Sequence, residues 1–230
     1  MTKKFQVIVA DCPWVFADEL SMSDVARGAA ANYPLLDIEE LKKLKVPEIA
    51  DPNGCILALW VPSSLLQDGM DVMKAWGFDQ KQTYIWVKVK KNPLDLLESF
   101  FKSFKTAPTK DNYKHWKSVM ARTIVEFPIH NILAFFMGRL FRQTHEICLI
   151  GTNSNKIYKK LKNKSQRSVS FGENLKHSAK PEHLQDSLDI MFPGTEKLEM
   201  FARRTRHDWN CIGNEVCNGE DIRDSLKNLL

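Results

Sequence analysis

The sequence predicts an α/β domain built around a mostly parallel central sheet. Apolar, β-branched runs recur along the chain, segments with helical apolar spacing lie between them, and turn residues separate the two kinds. Phe5 to Ala10 (FQVIVA) reads as a buried strand that stops at Asp11-Cys12-Pro13. Val15 to Pro34 has no clean period and reads as a long loop, which is uncommon unless it serves a function. Asp37, with Glu40 three residues on, predicts a capped short helix to about Leu44. Cys55 to Val61 is a second buried strand. Ser63 to Trp76 follows as a helix with Leu65, Leu66, Met70, Met73 and Trp76 at helical spacing, ended by Gly77. Gln82 to Val89 and Ile147 to Gly151 are the third and fourth strands. Pro181 to Met191 is a helix, Pro193-Gly194 a turn, and Lys197 to Ala202 (KLEMFA) the final strand. Asn92 to about Met137 breaks the alternation and reads as a mainly helical insertion within one domain spanning 1–230. Trp60, Trp76 and Trp86 are expected in the core.

Composition narrows the class. Hydrophobic residues are 43% and charged residues 27%, the balance of an ordinary globular chain. The longest apolar run, Cys55 to Val61, is far short of the ~20 residues a membrane-spanning helix needs. The start, MTKKFQVIVADCPW, runs into Asp11 and Pro13 without a small-residue cleavage pattern, so no secretory signal is expected. Five cysteines, an odd number with no C-x-x-C pair, argue against a disulfide framework and against zinc. The six histidines are scattered, so no metal is expected, and a reducing cytoplasm is the expected compartment.

The net charge of +5 decides little, but its distribution says more. Between Lys88 and Lys117 stand eight lysines and three acids, interleaved with Phe100, Phe101, Phe104, Tyr113 and Trp116. A second cluster, Lys156, Lys159, Lys160, Lys162, Lys164 and Arg167, contains no acid. Cations that neutralise phosphates, with rings on which bases stack, suit a nucleic-acid surface; the plainer reading is a solvated face over an amphipathic core.

Asp11-Cys12-Pro13-Trp14 is the segment with chemistry. Ligands of open α/β sheets bind beyond the carboxyl ends of the strands, where this loop lies. A nucleobase exocyclic amine is a poor nucleophile because its lone pair is delocalised into the ring. A carboxylate and a backbone carbonyl that each accept one of its N–H bonds favour a more tetrahedral nitrogen. Asp11 and the Cys12 carbonyl supply those acceptors, Pro13 stiffens the backbone, and Trp14 offers a face to the base. A turn after a strand explains Asp and Pro equally well. Near the C-terminus, PGTEKLEMFARRTRHDWNCIGNEV (193–216) ends in Gly213-Asn214-Glu215. An amide beside a carboxylate suits the two hydroxyls of a ribose.

These segments together carry a resemblance. VIVADCPW (7–14), ANYPLLDIEELKKLKVPEIADPNGCILALWV (31–61), AWGFDQKQTYIWVK (75–88), GRLFRQTHEICLIGT (138–152), HSAKPEHL (177–184) and residues 193–216 stand in one order along the chain. In that order they resemble the MT-A70 family, named for the seventy-kilodalton mRNA adenine-N6 methyltransferase subunit, and most of all its compact bacterial and phage members. The resemblance implies a Rossmann-like class I methyltransferase fold that uses S-adenosyl-L-methionine. It also implies a permuted order, with the catalytic motif before most of the cofactor-binding segment. It assigns Asp11, Cys12, Pro13 and Trp14 to catalysis, and Lys180, Phe201, Arg203, Asn214 and Glu215 to the cofactor. Trp14 and Tyr33 are assigned to the target base, Glu146 to an acid near the site, and Lys88, Arg139 and Arg142 complete the expected substrate contacts. Cys12 replaces the family's first proline. Its carbonyl serves equally well, while its thiol is expected to be half buried and inert.

The function expected is adenine-N6 methylation of DNA, with RNA as the alternative substrate. A non-catalytic nucleic-acid-binding partner subunit is the alternative of a different class. A homodimer or a heterodimer is compatible with either, and neither membrane nor metal is expected. Methylation of cytosine or of a protein amide uses a related tetrapeptide, but Trp14 and the C-terminal block argue against both.

Overall fold

A computed structural model describes residues 3–15, 35–92, 95, 98, 113–115, 117–118, 132–135, 140–173, 179–216 and 219–230. Strand β1 (Val7–Ala10) is buried at all four residues, as an uninterrupted apolar run on a central strand must be. Asp37 opens α1 (Ile38–Lys42): its side chain accepts from the Glu40 N–H, and Glu40 accepts from the Asp37 N–H. Such reciprocal capping contributes on the order of 1 kcal/mol. Helix α2 (Val46–Ile49) leads to β2 (Ile56–Val61), again buried throughout. A 3-10 turn at Ser63–Leu65 passes into α3 (Leu66–Ala75). Gly69 lets α3 lie against the end of β2, because a Cβ there would stand 2.6 Å from a Val61 methyl. The Trp76 indole N–H donates to the Leu41 carbonyl at 2.8 Å and joins α3 to α1.

Strands β3 (Asp79–Val89), β4 (His145–Thr152) and β5 (Val169–Glu173) follow, then α4 (His183–Met191), β6 (Lys197–Met200), β7 (Asn210–Ile212) and α5 (Ile222–Asn228). The seven strands lie in the order β5-β3-β4-β2-β1-β6-β7. β1 pairs in parallel with β2 and with β6, β6 pairs in parallel with β7, and β4 runs antiparallel to β2. The sheet is therefore mostly parallel, as expected. The chain passes from β1 to β2 on one side, whereas β6 lies on the other. The carboxyl ends of β1 and β6 consequently flank a topological switch point, the crevice where α/β sheets bind ligands.

The structure corrects one strand reading: KLEMFA is not the final strand. β6 ends at Met200, and β7 adds a short parallel edge strand before α5. β7 has three half-buried residues and no alternation long enough to read from sequence. Trp60, Trp76 and Trp86 are all in the core, at 2%, 1% and 1% exposure. The expected loop from Val15 to Pro34 beyond its first residue, with Tyr33, and likewise Arg139 and most of the expected insertion at 92–137, lie outside the described residues.

The chain divides into two compact units. The first comprises 1–85, 146–170 and 182–230, and the second 86–145 and 171–181. Within the second, the Trp86 indole donates to the Gly172 carbonyl at 3.2 Å. The Lys88 ammonium lies 5.1 Å from the centre of the Trp86 ring, and the Arg142 guanidinium 6.0 Å from that of Phe135.

Gly54 has φ +135°, and a Cβ on it would stand 2.6 Å from the Ile157 nitrogen. Gly54→Ala is therefore expected to destabilise the chain by roughly 1–3 kcal/mol, read as a lowered urea midpoint. An unchanged midpoint would show that this close approach is not required.

Candidate functional site

β1 delivers Asp11 to the switch point, one residue beyond the last strand position. The loop that follows is held at several points. The Trp14 N–H donates to the Cys12 carbonyl at 3.0 Å, and the Leu36 N–H donates to the Pro13 carbonyl at 3.1 Å. The Trp14 indole N–H donates to the Trp60 carbonyl at 2.9 Å, and Trp14 is only 4% exposed. Each bond contributes on the order of 1 kcal/mol, and together they fix where the Cys12 and Pro13 carbonyls point. A carbonyl has two acceptor positions, so the Cys12 oxygen keeps one beyond the bond from Trp14.

Cys12 corrects another expectation. It is 5% exposed rather than half buried, because it follows directly on a strand covered on both faces. Burial first, and the neighbouring Asp11 charge second, push its thiol well above the ordinary range, so it is an inert packing residue.

Glu199 on β6 is paired in register with Val9, and Asp11 lies two residues past Val9, on the same face of β1. Gln185 on α4 donates to the Glu199 carboxylate at 3.2 Å. Burial raises the Glu199 pKa above its ordinary value. The bond from Gln185 and the charges of Arg204 and Arg206 oppose that shift, while the Asp11 charge reinforces it. A second carboxylate thus stands behind the one the loop presents. Neither Glu199 nor Gln185 was singled out from the sequence, although an acid inside the apolar strand KLEM was a usable signal.

Beyond β6 the chain turns sharply. Phe201 adopts φ +58°, and Gly213 adopts φ +152°; a Cβ on Gly213 would stand 2.8 Å from the Ala202 nitrogen. The Ala202 N–H donates to the Ile212 carbonyl at 2.9 Å. This contact sets Asn214 and Glu215, both exposed, beside the end of β6, with Arg203 Nε 3.6 Å from Glu215 Oε1. A cavity of about 240 Å³ lies alongside, lined by Ile212, Gly213, Val216, Glu220 and Asn228.

The segment between Arg203 and β7 is fastened to α4. Arg206 meets Glu182 at 2.6 Å, Asp186 at 2.6 Å and Asp189 at 2.9 Å. Its guanidinium lies 5.9 Å from the centre of the Trp209 ring, and the Trp209 indole donates to Asp189 at 3.0 Å. The ammonium of Lys197, a lysine only 4% exposed, also reaches Asp189, at 3.2 Å.

The expected site residues fall in both units. Asp11, Cys12, Pro13, Trp14, Phe201, Arg203, Asn214 and Glu215 belong to the first, with Glu146. Lys88, Arg142 and Lys180 belong to the second. There Lys88 is 7% exposed, Arg142 is exposed and Lys180 is half-buried. Among the described residues no group of three or more His, Cys, Asp or Glu side chains is placed to hold a metal ion. No described helix is long and apolar enough to cross a membrane.

An acid-bearing loop at the switch point of a mostly parallel sheet, with an amide–carboxylate pair in the loop after β7, defines the class: an α/β protein with a Rossmann-like methyltransferase fold. The MT-A70 family model matches residues 5–100 and 105–215, and the chain belongs to that family. It is 24% identical over 215 residues to an N(6)-adenosine-methyltransferase MT-A70-like protein of Drosophila melanogaster, covering 93% of this chain and 27% of that protein. It is 23% identical to the human N(6)-adenosine-methyltransferase catalytic subunit METTL3, covering 93% of this chain and 28% of that protein. It is 25% identical over 235 residues to the type II methyltransferase M.MunI of a Mycoplasma species, covering 93% of this chain and 78% of that protein. The chain thus spans little more than a quarter of the fly and human proteins.

Glu199 makes stability depend on pH. Its folded pKa lies above the unfolded value near 4.5, so its contribution is fully present below that value and is lost as pH rises through the raised one. Glu199→Gln escapes that loss, so urea denaturation should show the variant gaining on the parent from about pH 4 to pH 8. A difference independent of pH would show that Glu199 titrates normally. Arg206→Gln should lower stability by roughly 1–3 kcal/mol, since the partly exposed carboxylates screen the pairs. The loss should shrink in high salt, as thermal unfolding would report.

Proposed function

We propose that this chain is an S-adenosyl-L-methionine-dependent adenine-N6 methyltransferase acting on DNA. The observation that carries the reading is the Asp11–Trp14 loop, held at the carboxyl end of β1 beside the β6 and β7 ends. The match along 78% of M.MunI supports DNA. RNA is the alternative substrate, and what supports it is the name N(6)-adenosine-methyltransferase carried by the fly and human relatives, adenosine being a ribonucleoside.

The donor set fits the cofactor. Asn214 and Glu215 offer an amide and a carboxylate side by side, which suits vicinal ribose hydroxyls. Gly213 holds this pair close to β6, and Arg203 and Phe201 flank it. Lys180 is assigned to the cofactor by the resemblance alone. S-adenosyl-L-methionine would supply an electrophilic methyl group on a sulfonium.

The chain's own residues would prepare the nucleophile. Asp11 and the free acceptor position of the Cys12 carbonyl each take one N–H of the adenine amine, turning its lone pair out of the ring plane. As the nitrogen gains carbon it becomes positive, and the Asp11 carboxylate stabilises that charge and takes the proton it sheds. The target base would be flipped out of a duplex or presented single-stranded. Trp14 fastens the loop through its indole; at 4% exposure it floors a stacked base only if substrate binding uncovers its ring. Arg142, Arg139 and Tyr33 are assigned to substrate, and Lys88 is a weaker contact because it is largely covered.

The test is methyl transfer from labelled S-adenosyl-L-methionine to matched DNA and RNA oligonucleotides, followed by nucleoside analysis. N6-methyladenine in DNA is the expected product. Asp11→Ala should reduce transfer at least about a hundredfold while the melting temperature stays close to that of the parent. Absence of both transfer and cofactor binding would overturn the enzyme reading in favour of a non-catalytic nucleic-acid-binding subunit.

A further inference from the structure

The acid-free basic cluster at 156–167 begins at the opposite end of the sheet from Asp11 and returns along the β3 side, where the Ile85 N–H donates to the Ser168 carbonyl at 2.8 Å. Thr152, the last residue of β4, pairs with Ile56, and Ile56 pairs with Val7 at the amino end of β1. Asp11 lies four residues further along β1, so Thr152 is displaced from it by about 13 Å along the strand direction alone. The chain then continues away from β4 into a 3-10 segment, Asn155–Lys160.

This segment is built onto the scaffold. Ile157 is fully buried beneath it, against Gly54, where only glycine leaves room. The Asn153 side chain accepts from the Cys55 N–H at 2.7 Å and donates to the Asp51 carbonyl at 3.0 Å. Ser154 caps the segment by accepting from the Lys156 N–H, and the Lys162 N–H donates to the Met191 carbonyl at 2.9 Å. Lys156, Lys159, Lys160, Lys162, Lys164 and Arg167 are all exposed, as is Tyr158 at 45%. Among the described ion pairs only Lys160 meets an acid, Asp51, at a loose 3.8 Å.

We propose that this ridge is a second nucleic-acid contact, an anchor for the phosphate backbone remote from the reacting base. It rests on the nucleic-acid substrate proposed above. Six like charges brought together on a rigid segment repel one another unless a polyanion neutralises them, and each neutralised phosphate releases condensed counterions. Tyr158 adds an exposed ring among the cations, the pairing that tracks a backbone and stacks a base. Because the ridge lies away from Asp11, it would act on long substrates and leave the chemical step alone.

The experiment uses the full chain with Lys156, Lys159 and Lys164 replaced together by Glu, and a second variant with Gln at the same positions as a milder control for folding. Fluorescence anisotropy would measure binding to labelled oligonucleotides of about 6 and about 30 nucleotides across a salt series, and methyl transfer would be assayed in parallel. The expected result is about tenfold weaker binding of the long oligonucleotide and a log–log salt slope shallower by about 2–3, at 0.7–0.9 per lost phosphate contact. Binding of the short oligonucleotide and kcat should match the parent. Long-oligonucleotide affinity and slope equal to the parent's in both variants would overturn the proposal. So would a loss of binding confined to anionic phosphatidylserine vesicles. If the parent transfers no methyl group yet the slope difference is present, the anchor stands and the enzymatic reading falls.

Discussion

The structure depends on β1 being paired along both edges and covered on both faces. Val7 to Ala10 carry no polar side chain and have no access to solvent, so their backbone groups must pair with β2 and β6. Both pairings end at Ala10, so the chain leaves the sheet at Asp11, which carries its charge at the switch point. It also sets β6, and with it Glu199 and the Phe201 turn, directly beside that exit. A slip of one residue in the β1–β6 register would turn Glu199 to the opposite face from Asp11.

Around this exit the molecule spends its hydrogen bonds on backbone placement. The Asp11–Trp14 loop is fixed by Trp14, whose ring and indole N–H both point into the core region of β2 rather than out to solvent. The loop between β6 and β7 is fixed by Arg206 and Trp209 against α4. The two loops that would handle substrate and cofactor are thus each pinned by a tryptophan, one to β2 and the other to α4. Positioning of this kind suits chemistry that needs oriented acceptors more than a reactive side chain. The inert, buried thiol of Cys12 agrees with that division of labour, since the reading asks only for its backbone oxygen.

Charge is organised at several levels. Inside the first unit, acids and arginines neutralise one another around α4, and Glu199, whose carboxyl is pushed upward, sits where burial outweighs its partners. On the surface, the 156–167 ridge holds cations of one sign together on a segment tied down by Ile157, Asn153 and Ser154.

Much of this was legible in the sequence, and the reasons are local. The runs at Phe5–Ala10 and Cys55–Val61, the Asp37–Glu40 capping box and the Gly77 helix stop each depend on neighbours a few residues away, so pattern alone located them. The Asp11–Trp14 loop was legible for the same reason, as a charge directly after an apolar strand. β7, the depth of Cys12, the Gln185–Glu199 pair and the Arg206 network were not, because each is made by residues distant in sequence and brought together by strand order. The sequence by itself determined the alternation of elements, the acidic loop and the places where positive charge gathers. Only the tertiary structure decided that β6 flanks β1, that Glu199 shares a face with Asp11, and that the 156–167 ridge begins at the far end of the sheet. Pairing and burial are long-range terms, and no window along the chain contains both partners.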